Sequence, residues 1–218
     1  MTTKPLILNP DRFFPAEPRA RDLARDLYQS VRDLPIISPH GHTDPSWFAT
    51  NETFSNAADL LLTPDHYVLR MLYSQGVDLK SLGVAPRGET SDVDPRAAWK
   101  LFAEHYYLFR GTPSRIWLDH VFAEVFGLEV KLSAATSDLY YDKITEALQT
   151  DAYRPRAILD RFNVEFLATT EGALDSLDHH KAIQSAGWGR RVVTTFRPDD
   201  VLDAERSDFI DNVRRLGT

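Results

Sequence analysis

The sequence contains no cysteine, no long apolar run and no excess of basic charge. Without cysteine, the 218-residue chain has neither a disulfide framework nor a thiolate zinc site, so a metal would bind to His, Asp or Glu. The formal charge of −7 offers no basic field to nucleic acid. Near the N-terminus, the short apolar run 6–8 is followed by prolines and charges, and it is too short for a signal sequence or a membrane span. We therefore expect a cytoplasmic protein with no nucleic-acid or membrane partner.

The N-terminal part of the chain has the pattern of one helix followed by one strand. A helix is predicted from Pro18 to Leu34, with Leu23, Leu27 and Val31 at four-residue spacing on one apolar face. The segment Pro35–Ser38 carries two isoleucines and stops at the next proline, which predicts a short buried strand.

Helical patterns dominate the middle of the chain. Thr63 is a predicted N-cap before Pro64, and Gly76 is the predicted C′ residue of the same helix. Three further helices are predicted at about 95–110, 114–126 and 137–149. For these helices, Ser114 and Ser137 are the predicted N-caps, Gly127 is a predicted C′ residue, and Trp117, Val121 and Val125 form a predicted apolar face.

Strand patterns return after this helical block. Three later elements are predicted: strands at Val164–Thr169 and Arg191–Thr195 and a final helix at Asp208–Leu216. Strands separated by helices favour a parallel α/β sheet, whose reactive groups lie in loops after the C-terminal ends of its strands. We divide the chain into 1–44 with the first helix and strand, a helical insertion at 45–160, and further βα units at 161–218.

His40 and His42 directly follow the first strand and form the clearest candidate metal site. In extended backbone, alternate side chains point to the same side, so both imidazoles can bind one divalent ion while Gly41 faces away. Asp44 adds an acidic group, either as a ligand or as a partner of a ligand. The alternative is a polar turn in which both histidines bond only to the backbone.

A second candidate site is Asp65, His66 and Tyr67 in the first turn of the helix that Thr63 is predicted to cap. The helix N-terminus favours an anion, and histidine and tyrosine can both carry protons. In the alternative interpretation, His66 is a surface or capping residue and Tyr67 belongs to the core face of the helix.

Arg197 is the third candidate because it follows a predicted strand and precedes a proline, where a parallel strand delivers a side chain to its C-terminal end. Its guanidinium group suits a substrate carboxylate. The alternative is an ion pair with Asp199 or Asp200. His179 and His180 are adjacent in a predicted helix, about 100° apart, and are predicted to be a solvated pair.

Five segments of the chain, in this order, resemble uronate isomerase, also called glucuronate isomerase, of the amidohydrolase superfamily. They are DLPIISPHGHTDPSWFATN, LLTPDHYVLRMLYSQGVD, HYYLFRGTPSRIWLDHVFAEVFG, RFNVEFLATTEGALDSLDHH and VVTTFRPD. The resemblance extends over nearly the whole chain and is far more specific than a bare pair of histidines.

The resemblance implies the N-terminal part of a (β/α)₈ TIM barrel of the metal-dependent hydrolase type, with a large helical insertion after the first strand. It also implies reversible isomerisation of D-glucuronate to D-fructuronate and of D-galacturonate to D-tagaturonate. It assigns a divalent metal, often zinc in that family, to His40 and His42, proton transfer to His66 and Tyr67, and the acidic sugar to Arg197.

The chain departs from the family pattern in three places. Gly41 stands where many relatives carry cysteine, and we expect little effect because that position faces away from the metal. Glu171, Gly172 and Ala173 replace acidic residues and a proline, and no role is assigned to that loop. Family members are about twice as long, and their last strands supply a metal-binding aspartate and an arginine.

This difference in length gives an expectation about partners. The chain corresponds to the N-terminal half of the family, so its expected partners are a missing C-terminal half or, in a homo-oligomer, further copies of itself. Two other functions remain open at this point. One is a non-catalytic remnant that serves as an interaction module, and the other is a metal-dependent hydrolase of the same superfamily.

Overall fold

The structure is a computed structural model that describes residues 3–86 and 88–217. The described residues of Met1–Gln29 and Thr53–Tyr153 form one compact unit, called here the helical unit. Those of Ser30–Glu52 and Arg154–Thr218 form the other, called the sheet unit. This grouping follows spatial contact and differs from the consecutive segments 1–44, 45–160 and 161–218, which stay a prediction.

The described residues contain three strands, which form one parallel sheet in the order β1-β2-β3. The strands are β1 Ile36–Ser38, β2 Val164–Gly172 and β3 Val192–Arg197. All three were predicted, and β2 and β3 extend further than their patterns indicated. The prediction of an α/β protein with a parallel sheet is therefore confirmed.

The α-helices lie before, between and after these strands. In chain order they are α1 Pro18–Val31, α2 Pro45–Thr50, α3 Ala57–Leu61, α4 His66–Ser74, α5 Pro95–His105, α6 Pro113–His120, α7 Ser137–Leu148, α8 Pro155–Arg161, α9 Asp178–Ser185, α10 Asp199–Leu202 and α11 Phe209–Leu216. Short 3₁₀ turns lie at Lys80–Leu82, Tyr106–Phe109, Ala134–Thr136 and Asp151–Tyr153, and a π-helical turn at Val121–Val125. Across the described part of the chain, every helix falls short of the length and apolar character that crossing a membrane requires.

Aromatic side chains form the centre of the helical unit. Trp99 and Phe102 on α5 are fully buried, and their ring centroids lie 5.3 Å apart with one edge facing the other ring. Phe122 and Tyr140 make a similar contact at 5.0 Å. Replacing a buried phenylalanine or tryptophan by alanine typically costs about 3–5 kcal/mol, so these rings are a main source of stability for the unit.

Helix α4 begins later than its sequence pattern indicated. The Asp65 carboxylate accepts hydrogen bonds from the backbone N–H groups of Tyr67 and Val68, at 2.8 and 3.2 Å. Asp65 is therefore the N-cap, and the prediction of Thr63 is wrong because the better-placed acceptor lies two residues further on. The left-handed backbone of Gly76, with φ of 84°, agrees with its predicted position just after the helix.

The sequence also predicted the wrong cap for α6, and its predicted inner face is right only in part. Thr112 Oγ1 accepts from the backbone N–H of Arg115 at 3.2 Å, so Thr112 and not Ser114 is the N-cap. Trp117 is 52% exposed, whereas Val121 and Val125 are partly buried and pack against the core. The fully buried residues along this segment are Leu118, Phe122 and Phe126, because burying the two phenylalanine rings centres the inner face one residue further along the chain.

Helix α7 begins at Ser137, and the prediction of Ser137 as its N-cap is wrong. The hydrogen bonds that start this segment come from Ser133 and Thr136, which form a reciprocal capping box around the preceding 3₁₀ turn. Gly127 has the left-handed φ of 62° expected of a C′ residue.

The first strand is less buried than its composition predicts. Ile36 and Ile37 are 49% and 55% exposed, so the prediction of a buried strand is wrong in this structure. The physical reason is that, within residues 3–86 and 88–217, β1 lies at the edge of the sheet with β2 as its one paired strand. The apolar face of α1, formed by Leu23, Leu27 and Val31, is also exposed.

Candidate metal and substrate site

His40 and His42 converge just beyond the end of β1. Their Nε2 atoms lie 3.1 Å apart, and the ring centroids lie 4.8 Å apart with the ring planes nearly perpendicular. The alternative in which both rings bond only to the backbone does not match this geometry. Two nitrogens bound to one tetrahedral zinc ion, each at about 2.0–2.1 Å, lie roughly 3.3 Å apart. The pair is therefore spaced either for one N–H···N hydrogen bond or for two ligands of one ion.

The backbone that carries these histidines is bonded to the two neighbouring strands. Thr170 Oγ1 on β2 donates to the Gly41 carbonyl oxygen at 2.8 Å. Thr195 Oγ1 on β3 donates to the Pro39 carbonyl oxygen at 3.3 Å. No sequence motif marks either threonine, although both lie close to the C-terminal ends of predicted strands.

Asp44 was expected to be either a metal ligand or a partner of a ligand, and in the structure it caps a helix. Its Oδ1 accepts from the backbone N–H of Ser46 at 2.8 Å and caps α2. Among residues 3–86 and 88–217, no three His, Asp or Glu side chains are grouped so as to hold a metal ion. His40 and His42 thus account for only part of the ligand set that a metal ion requires.

Arg197 is the last residue of β3, at the same edge of the sheet as the histidines. Its Nε donates to Asp199 Oδ2 at 2.9 Å, and this hydrogen bond holds the pKa of Asp199 below its usual range. The structure therefore contains the ion pair that the alternative interpretation named. Both side chains are exposed, and among the hydrogen bonds of the described residues the Arg197 side chain donates only through Nε.

His66 and Tyr67 lie in the helical unit, in the first turn of α4. Their ring centroids are 4.1 Å apart with the planes tilted by 35°. Tyr67 is 64% exposed, so the alternative that places it in the core face is wrong. The structure thus brings His40 and His42 together in the sheet unit, which also contains Arg197, and places His66 next to Tyr67 in the helical unit.

A buried polar cluster at the end of β2 was missed by the sequence analysis. The side chain of His180 is only 12% exposed, so the prediction of a solvated histidine pair is wrong for this residue. Its Nε2 lies 2.8 Å from Thr169 Oγ1. That hydroxyl also contacts the Glu171 carboxylate at 2.9 Å, so the loop to which no role was assigned contributes to the cluster. No local pattern distinguished Thr169, because three consecutive residues of β2, from Leu167 to Thr169, are buried without alternation.

Comparison with known proteins gives a consistent set of relatives. A family model described as glucuronate isomerase matches residues 17–218. Uronate isomerase of Sphingopyxis alaskensis is 62% identical over 217 residues, covering 98% of this chain and 45% of that protein. The uronate isomerase of Phenylobacterium zucineum is 60% identical and matches 99% of this chain and 45% of its own length.

Solved structures show the same relationship. The crystal structure of glucuronate isomerase from Caulobacter crescentus matches with a TM-score of 0.91 and 58% identity, over 97% of this chain and 44% of that one. Uronate isomerase from Thermotoga maritima shares the fold with a TM-score of 0.82 at 23% identity, over 97% of this chain and 44% of that one. The chain spans less than half the length of these relatives. Because the family model matches nearly the whole sequence, the chain belongs to the glucuronate isomerase family.

Proposed function

We propose that this chain carries part of the site of a uronate isomerase, which interconverts D-glucuronate with D-fructuronate and D-galacturonate with D-tagaturonate. The observation that carries the proposal is the convergence of His40 and His42 at the carboxyl edge of a parallel sheet, in a chain of this family. The relatives are more than twice as long as the matched span. We therefore assign the activity to an assembly that also contains their remaining half.

The proposed complete fold is a (β/α)₈ barrel of the metal-dependent hydrolase type. Three observations support it: the strands are parallel, they lie side by side in chain order, and helices separate them. In this proposal 1–44 carries the first strand, 45–160 is the helical insertion and 161–218 continues the barrel. In this proposal His40, His42 and Arg197 lie at the C-terminal ends of barrel strands, where such folds carry out their chemistry.

His40 and His42 would hold a divalent metal such as zinc. Their donor type and the 3.1 Å between their Nε2 atoms fit two ligands of one ion, and the remaining carboxylate ligand is assigned to the other half of the protein. When bound, the metal supplies Lewis-acid stabilisation of negative charge on a sugar oxygen.

Arg197 binds the carboxylate of the sugar acid in this proposal. Its terminal nitrogens present the planar fork that matches a carboxylate, while Nε is held by Asp199. The isomerisation moves a proton between neighbouring carbons through an enediol, which requires a group that takes the proton and returns it. We assign this transfer to His66 and Tyr67, whose side chains lie next to each other and are both exposed.

The test is to express this chain together with a separate polypeptide that contains the unmatched part of the Sphingopyxis alaskensis enzyme. We expect ketose formation from D-glucuronate with both polypeptides present. His40→Asn and Arg197→Met should each lower kcat/KM by about 100-fold or more. His179→Asn, which changes an exposed histidine outside the site, is the matched control. A stable metal-loaded complex without uronate turnover would refute the proposal, and turnover of amides or esters in its place would favour a hydrolase.

A further inference from the structure

We propose that Thr170 and Thr195 are positioning residues that fix the directions of His40 and His42. The inference rests on the proposed function, because it concerns the metal site assigned to these histidines. Neither threonine touches an imidazole ring. Each one binds a backbone carbonyl group of the segment that carries the two histidines.

The two hydroxyls hold the carbonyl groups on either side of His40. Thr170 binds the Gly41 carbonyl at 2.8 Å, and Thr195 binds the Pro39 carbonyl at 3.3 Å. The two threonines are partners in the parallel register of β2 and β3, so their side chains project from the same face of the sheet. One face of two adjacent strands therefore binds the residues on both sides of His40.

A close backbone approach provides a third restraint. A Cβ atom added to Gly41 would lie 3.1 Å from the Ala168 carbonyl oxygen and 3.6 Å from Leu167 Cδ1. The Gly41 backbone therefore packs directly against β2. With the backbone restrained at these points, the direction of each imidazole depends only on its two side-chain torsions.

These restraints are needed because the ladder of β1 ends too early to supply them. The last paired residue of β1 is Ser38, and the histidine segment begins two residues later. Threonine is suited to this role because its branched side chain has a restricted first torsion, which holds the hydroxyl in place before the metal arrives. If the histidine pair were disordered, ordering it on metal binding would cost conformational entropy and so weaken the affinity for the metal.

The experiment measures the zinc affinity of the chain by competition with a chromophoric chelator. We expect Thr170→Val and Thr195→Val each to weaken zinc binding by about 10-fold, as is typical when a group that orients a ligand is lost. Thr170→Ser should restore the parent affinity because it returns the hydroxyl. Thr169→Val and Thr194→Val are matched controls on the same strands, and both should bind zinc as the parent does.

His40→Asn, measured in the same titration, separates the two possible failures. If it weakens zinc binding while both valine variants bind like the parent, the positioning role is overturned and the metal site stands. If it leaves zinc binding unchanged, the metal site and the positioning role both fail.

If the threonine variants do not fold, the inference can be tested by NMR relaxation on the unaltered protein. The backbone amides of residues 40–42 should give order parameters of about 0.85, and values below about 0.6 would overturn the inference.

Discussion

The Tyr106 hydroxyl donates a 3.0 Å hydrogen bond to Asp119 Oδ1 inside the helical unit. The other carboxylate oxygen accepts from Arg115 Nε at 2.8 Å, and the Arg115 guanidinium lies 3.9 Å from the centroid of the Tyr106 ring. Burial raises the pKa of Tyr106 far above its usual value, and the charge of Asp119 acts in the same direction. The phenol is therefore held in its protonated form by the folded chain.

We expect stability to fall in alkaline solution. The pKa of Tyr106 is raised by folding, so its contribution is complete below the unfolded value of about 10 and is lost as the pH rises above it. In that range the unfolded chain releases the proton while the folded chain retains it. Urea unfolding at about pH 9 and about pH 11 measures the decline, which should be shallower for Tyr106→Phe. Tyr107→Phe, at an exposed position, should decline like the parent, and equal slopes for all three proteins would contradict the argument.

Arg156 should be a main source of stability in the sheet unit. Its Nε and Nη2 donate to the Phe48 carbonyl oxygen at 2.9 and 2.7 Å, and its guanidinium group lies 5.3 Å from the centroid of the Trp188 ring. Arg156→Met removes these charge-assisted bonds and should lower the free energy of unfolding by about 2 kcal/mol in urea titrations. Arg190→Met, at an exposed position, is the control and should change it little. Equal losses from both variants would show that the bonds to Phe48 contribute nothing specific.

Asp199 should compete with a substrate carboxylate for Arg197. Its Oδ2 accepts from Arg197 Nε at 2.9 Å, and this hydrogen bond is the main reason that the pKa of Asp199 is lowered. With the two-polypeptide enzyme, Asp199→Asn should lower the KM for D-glucuronate by about 3-fold, the scale of an exposed ion pair. Asp200→Asn is the control because Asp200 pairs with Arg206 at 3.2 Å. If the KM for D-glucuronate does not change in Asp199→Asn, Asp199 does not compete with the substrate for Arg197.

A side chain at position 41 should lower stability. An added Cβ would lie 3.1 Å from the Ala168 carbonyl oxygen, and the expectation that Gly41 has little effect on the metal stays a prediction. Gly41→Ala should therefore lower the free energy of unfolding by about 1 kcal/mol, the lower end of overpacking penalties. Gly172→Ala is the matched control because its Cβ would meet only side-chain atoms at 3.4 Å or more. Two variants of equal stability would contradict this prediction.

Local sequence patterns were enough to find His40, His42 and Arg197. The period of two in extended backbone predicted that the histidines share a side, and the end of a strand predicted the position of Arg197. Thr170 and Thr195 could not be found in this way. Their partners are backbone carbonyls 129 and 156 residues away, and no local pattern encodes such a contact.

Capping and burial were less predictable for a similar reason. Thr63 and Asp65 are both capable of capping a helix, and only the folded backbone decides which one meets free N–H groups. His180 looks like half of a solvated pair because its neighbour is also histidine. Its burial depends on the Thr169 hydroxyl of β2, which the fold places next to α9.

The pairing of β1 with β2 joins Ile36 to Val164. The helical segment Thr53–Tyr153 lies wholly between these two residues in the sequence. Closing so long a loop costs chain entropy before any strand contact can offset that cost. Sheets whose neighbouring strands are far apart in the sequence therefore form slowly. During synthesis, His40 and His42 leave the ribosome long before Thr170 and Thr195 exist. The restraints on this histidine pair therefore form only after synthesis has passed Thr195.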